Sequence, residues 1–102
     1  MEFHFKKKEL IELYTTGKCR KYKLQKQVIK NFMKRITSIE NADTIYDLRI
    51  PPSMSFESLD GYENRFSIRI DRKYRLEFEI DFEDAEKTKG KVSILEISKH
   101  YE

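Results

Sequence analysis

The segment Arg65-Phe-Ser-Ile-Arg-Ile-Asp-Arg-Lys-Tyr-Arg-Leu-Glu-Phe-Glu-Ile-Asp81 decides the fold class. Phe66, Ile68 and Ile70 alternate with Arg65, Ser67, Arg69 and Asp71, and Tyr74, Leu76, Phe78 and Ile80 alternate with Lys73, Arg75, Glu77, Glu79 and Asp81. A period of two belongs to half-buried strands, each with one apolar face for a core and one polar face for water or a ligand. The tight Asp71-Arg72-Lys73 connection predicts an antiparallel hairpin. Arg69 and Arg75 then fall on the same polar face, on adjacent strands.

Outward from this hairpin, Val92 to Ile97 predicts a last, buried strand that runs into the polar Ser98-Lys99-His100-Tyr101. Glu83 to Gly90 is a charged loop, and Phe56 to Leu59 is a short strand closed by the turn dipeptide Asp60-Gly61. Pro51-Pro52 forbids helix before it. Upstream the period changes. Lys7 to Tyr14 places Leu10, Ile11, Leu13 and Tyr14 at helical spacing, with Gly17 as a stop signal. Tyr22 to Ile39 predicts a longer helix whose apolar stripe is Leu24, Val28, Ile29, Phe32, Met33, Ile36 and Ile39. Lys23, Lys26, Lys30 and Lys34 recur on its other side. Glu2 to Phe5 alternates and suits a short edge strand. The expectation is an α+β fold, an N-terminal helical hairpin packed on a small antiparallel sheet.

The chain has 102 residues, 38% of them charged and 38% hydrophobic, which suits one small domain with a solvated surface and not a disordered chain. Net charge is only +3, but residues 1–35 hold 11 Lys/Arg against 3 Asp/Glu while residues 36–102 hold 10 against 15. A basic half on a nearly neutral protein suits an anionic partner, although lysine-rich helices are also simply soluble. Cys19 is the only cysteine, so an internal disulfide is excluded. The absence of His/Cys spacing or a calcium-loop pattern argues against a metal, and no glycine-rich phosphate loop or serine elbow is present. No run of about 20 apolar residues is available for a membrane helix. The N-terminus lacks the apolar core of a secretory signal, so a cytoplasmic location is expected.

Two guanidiniums on neighbouring strands form a fork for phosphate and stabilise charge developing on phosphorus. The competing expectation is a cross-strand ladder in which Arg69 or Arg75 pairs with Glu77 or Glu96. His100 can act as acid or base near neutral pH, and Tyr101 can stack on a base or donate a proton. Glu57 supplies a carboxylate on the strand after the double proline. Cations beside proton-transfer groups on one sheet face suggest chemistry on a phosphodiester. His4 is expected to be structural or simply exposed.

Leu13-Tyr14-Thr-Thr-Gly17, Ile45-Tyr-Asp-Leu48, Phe56-Glu-Ser-Leu-Asp-Gly61, Phe66-Ser-Ile-Arg-Ile70, Tyr74-Arg-Leu-Glu-Phe78 and Glu96-Ile-Ser-Lys-His-Tyr101 together resemble the RelE/HigB-type toxins of bacterial type II toxin–antitoxin systems, closest to the HigB-like "killer protein" branch. The resemblance implies one toxin domain over residues 1–102 with a microbial-ribonuclease-like fold. It implies metal-independent, cofactor-free cutting of messenger RNA in the ribosomal A site by attack of the 2′-hydroxyl. It also implies a helix-turn-helix, HigA-like antitoxin, through which alone DNA is contacted. On this resemblance Arg75 and Arg69 bind the scissile phosphate, His100 or Glu57 takes the 2′-hydroxyl proton, and Tyr101 orients the substrate or acts as acid. Lys23, Lys26, Lys30, Lys34 and Lys99 would contact ribosomal or messenger RNA. Many relatives end in Asp-Tyr-His where this chain has Lys99-His100-Tyr101, and Asp60 stands where the family has lysine. The alternatives are a ParE-like gyrase poison that leaves RNA intact and a decayed toxin that survives as an antitoxin-binding co-repressor.

Overall fold

The computed structural model describes residues 1–99. In chain order it contains β1 (Phe3–Phe5), α1 (Lys8–Thr16), α2 (Lys26–Asn41), α3 (Tyr46–Arg49), a 3-10 turn (Pro52–Met54), β2 (Glu57–Ser58), β3 (Arg65–Arg69), β4 (Tyr74–Phe82) and β5 (Gly90–Lys99). The strands form one sheet in the order β1-β5-β4-β3-β2. All neighbours are antiparallel except β1 and β5, which run parallel. The α+β expectation therefore holds, with a mixed sheet in place of a purely antiparallel one.

The helices cover the face of the sheet to which the alternating apolar residues point. Leu10 and Leu13 of α1, Phe32, Ile36 and Ile39 of α2, and Ile68, Leu76, Phe78, Ile80, Val92 and Ile94 of the sheet are all essentially inaccessible. Each such side chain contributes roughly 1.5–3 kcal/mol by leaving water. α1 stops at Gly17, whose φ of 75° lets its N–H reach back to the Leu13 carbonyl at 2.9 Å. Among the described residues no helix is long and apolar enough to cross a membrane.

Two elements differ from the sequence reading. α2 begins at Lys26, not Tyr22. Residues 20–24 instead line a cleft with Ile97 and Lys99 of β5, and Tyr22 and Leu24 pack partly buried against the core. Burial raises the Tyr22 pKa, and the positive charge of Lys7 and the nearby Ile97 backbone oppose the rise. Tyr22 and Leu24 thus face inward at a period of two, which also explains why Lys23 lies outside the helix.

The second difference is a bulge. Glu77 of β4 pairs with Glu96 of β5, but Phe78 pairs with Ile94, leaving Leu95 unopposed. An extra residue in one strand reverses the alternation beyond it. Ile97 therefore stays buried, and Glu96 and Ser98 turn to the uncovered polar face.

Candidate functional site

The register builds the polar face in rows. One row reads Arg69–Arg75–Ser98 across β3, β4 and β5, and the next reads Glu57–Ser67–Glu77–Glu96 across β2 to β5. The third, at the far end, reads Arg65–Glu79–Ser93–His4. Arg69 and Arg75 are directly opposed, as the alternation required, at the end of the sheet where the β3–β4 turn and the end of β5 meet. His4 is exposed at the other end, with Nε2 3.2 Å from the Ser93 hydroxyl.

Arg75 is buried, only 7% exposed. Its Nε donates to the Ser67 hydroxyl at 2.8 Å, and its Nη2 donates to the Ser67 carbonyl at 3.3 Å and to the Ser55 carbonyl. Glu57 Oε2 lies 3.8 Å from the same Nη2. Burial lowers the Arg75 pKa; Glu57 opposes that shift, and the positive charge of Arg69 adds to it. The guanidinium stays charged at any physiological pH, because arginine starts so high. Ser55 follows the 3-10 turn in the left-handed region, with φ 45° and ψ 54°. Arg75 thus ties the proline loop to the sheet and holds β2, and Glu57 on it, beside the arginine row.

Arg69 is only partly buried. Its Nε donates to the Asp71 carbonyl at 3.2 Å, and its own carbonyl accepts from Arg35 Nε of α2 at 2.6 Å. The Asp71 carboxylate accepts from the N–H groups of Lys73 and Tyr74, each at 2.8 Å, which fixes the turn. Arg35 was not singled out by the sequence, although at helical spacing it falls beside Val28, Phe32 and Ile39 on the apolar side of α2, which is the signal that it would turn toward the sheet.

The ladder that competed for Arg69 and Arg75 is made by Arg65 instead. Arg65 Nη2 lies 2.8 Å from Glu77 Oε1 and 3.2 Å from Glu96 Oε1, and Lys7 Nζ lies 3.4 Å from Glu96 Oε2. Tyr62 packs its ring 4.5 Å from the Arg65 guanidinium carbon.

Among the other candidates, Lys26, Lys30 and Lys34 are exposed along α2, on the opposite side of the molecule from the arginine row. Lys99 pairs in register with Tyr74 and so points to the helix side of the sheet. It shares a cleft of about 440 Å³ with Arg20, Lys21, Tyr22, Lys23 and Tyr74. The sequence did not foresee that Lys23 and Lys99 would meet. His100 and Tyr101 lie outside the described residues.

A helix-covered sheet whose bare face carries opposed arginines at one end is an α+β fold of the RelE-like kind. Residues 3–95 match the family model described as "RelE-like toxin of type II toxin-antitoxin system HigB". The chain is 35% identical over 81 residues to "Toxin HigB-1" of Vibrio cholerae serotype O1, covering 78% of this chain and 83% of the relative. It is 30% identical over 79 residues to an uncharacterized protein of Haemophilus influenzae, covering 76% of this chain and 77% of that one. The chain belongs to the HigB-like toxins of type II toxin–antitoxin systems. Membership implies an antitoxin partner. The matched span takes in Glu57, Arg69 and Arg75 and ends before Lys99, His100 and Tyr101.

Proposed function

We propose that this toxin is a ribosome-dependent endoribonuclease that cuts messenger RNA in the A site, using the arginine end of the polar face. The observation that carries the reading is the row Arg69–Arg75–Ser98, which sets two arginines directly opposite each other in register where β5 ends. A phosphodiester seated there receives hydrogen bonds from Arg69 and faces the fixed charge of Arg75, both of which favour the charge that builds on phosphorus. The 2′-oxygen attacks phosphorus, a base takes its proton, and the 5′-oxygen leaves with a proton from an acid. A cyclic 2′,3′-phosphate and a 5′-hydroxyl result.

Glu57 stands 3.8 Å from Arg75 Nη2 with its side chain half exposed, in reach of both arginine and solvent, and is one candidate base. His100 is the other, with Tyr101 as acid or as the surface on which a base stacks. The exposed lysines of α2, together with Lys23 and Lys99, would hold ribosomal or messenger RNA by long-range attraction that weakens as salt rises.

The direct test is the cutting of translated messenger RNA by Arg69→Ala, because Arg69 has less of a structural load than Arg75. Loss of codon-phased cuts is expected. Cuts that persist at wild-type frequency would remove the arginine row from the mechanism.

A further inference from the structure

The polar face carries a second charge pattern that the cutting reaction does not use. Glu77 and Glu96 occupy the row next to Arg75 and Ser98, on the face that must receive an anion. Residues two apart on a strand stand about 6.5–7 Å apart, so both carboxylates lie within one Debye length, about 10 Å at 0.1 M salt, of a phosphate at Arg75. Left bare they would repel it. Arg65 sits directly opposite Glu79 in register, yet its guanidinium leans toward the arginine end and takes Glu77 Oε1 at 2.8 Å and Glu96 Oε1 at 3.2 Å. Lys7, from the segment between β1 and α1, takes the other Glu96 oxygen at 3.4 Å. Tyr62 covers the guanidinium from outside. Burial works to lower the Arg65 pKa, but the hydrogen bond and charge of Glu77 outweigh it and raise it, so this cation is held firmly.

The geometry points to Arg65, backed by Lys7, as a positioning residue for RNA binding: it neutralises Glu77 and Glu96, leaving Glu57 as the carboxylate of that row that still faces a phosphate at Arg69 and Arg75. Arg65 itself touches no substrate. Its guanidinium is engaged by the two carboxylates and the tyrosine ring, and its effect passes through the charges that it cancels. This inference rests on the reading that the arginine row binds a phosphodiester.

The test is binding of the fluorescein-labelled protein to ribosomes programmed with a short messenger at low ionic strength, followed by anisotropy, with thermal unfolding recorded for every variant. Arg65→Ala is expected to weaken binding about tenfold or more. Adding Glu77→Gln and Glu96→Gln to it is expected to restore binding to within about twofold, which a purely structural role of Arg65 would not allow. Glu77→Gln with Glu96→Gln alone, with Arg65 intact, is expected to bind more tightly than wild type. Should Arg65→Ala unfold, this last pair decides: tighter binding supports the shield, and unchanged or weaker binding overturns it. Wild-type binding by a folded Arg65→Ala, or no recovery in the triple variant, overturns the inference alone. Absence of binding by the wild type, or undiminished binding by Arg69→Ala, overturns the underlying reading and the shield with it.

Discussion

Lys26, Lys30 and Lys34 stand exposed along the outer side of α2, while Arg69 and Arg75 oppose each other on the far face of the sheet. Both regions are cationic, but they are held differently. Each lysine sits on a flexible stem in water, so its charge is diffuse and screened by salt. The arginines are set by strand register, and Arg75 is fixed further by Ser67 and Ser55. Charge on a helix surface can draw an RNA near. Charge set by register can meet one phosphate in one orientation. The difference between the regions is one of fixed geometry, and on the proposed function attraction falls to the helix and chemistry to the sheet end.

Arg75→Ala should have the largest effect, because it strikes both the site and the fold. Removing this buried side chain leaves the Ser67 hydroxyl and Ser55 carbonyl without their donor, at a cost of about 2–3 kcal/mol. Denaturant unfolding should show that loss, together with loss of cutting. Arg69→Ala separates the two roles. Its guanidinium is partly exposed, so stability should change by less than about 1 kcal/mol while cutting falls about a hundredfold or more.

The helix side should respond more gently. Glu substitutions at Lys26, Lys30 and Lys34 together should weaken ribosome association severalfold and flatten its dependence on salt, without changing where the message is cut. A shifted cutting site would mean that α2 positions the substrate, and the contrast between the regions would fail.

The smallest effect is expected at Tyr22, which packs the segment before α2 against the core. Its pKa is raised in the folded protein, mainly by burial, so folding favours the neutral phenol. The associated stability is fully present below the ordinary value of about 10 and is lost as pH rises through the folded value. An alkaline absorbance titration should find one tyrosine that ionises later than the exposed ones, and Tyr22→Phe should remove that late step.

The hairpin of β3 and β4 was legible because alternation leaves little choice when one face must be buried. The shared face of Arg69 and Arg75 followed from parity alone. The ladder partner was not legible: Arg65, Arg69 and Arg75 have the same parity, and which of them reaches Glu77 depends on side-chain direction and on the bulge at Leu95. That bulge left one trace in the sequence, the adjacent apolar pair Ile94-Leu95, which breaks the alternation in β5. The late start of α2 also left a trace. Tyr22 and Leu24 alternate with Lys21, Lys23 and Gln25, a strand-like period that the longer helical stripe concealed. The burial of Arg75 left none, because beside Ser67 it depends on the backbone of Ser55, brought there by the proline loop.

The measurement that bears most directly on the central claim is mapping of messenger RNA 5′ ends after brief induction, comparing wild type with Arg69→Ala. New ends phased with codons in translated frames, present in the wild type and gone in the variant, are the predicted result. Growth arrest with intact messages in the wild type would contradict it and point to a target other than RNA.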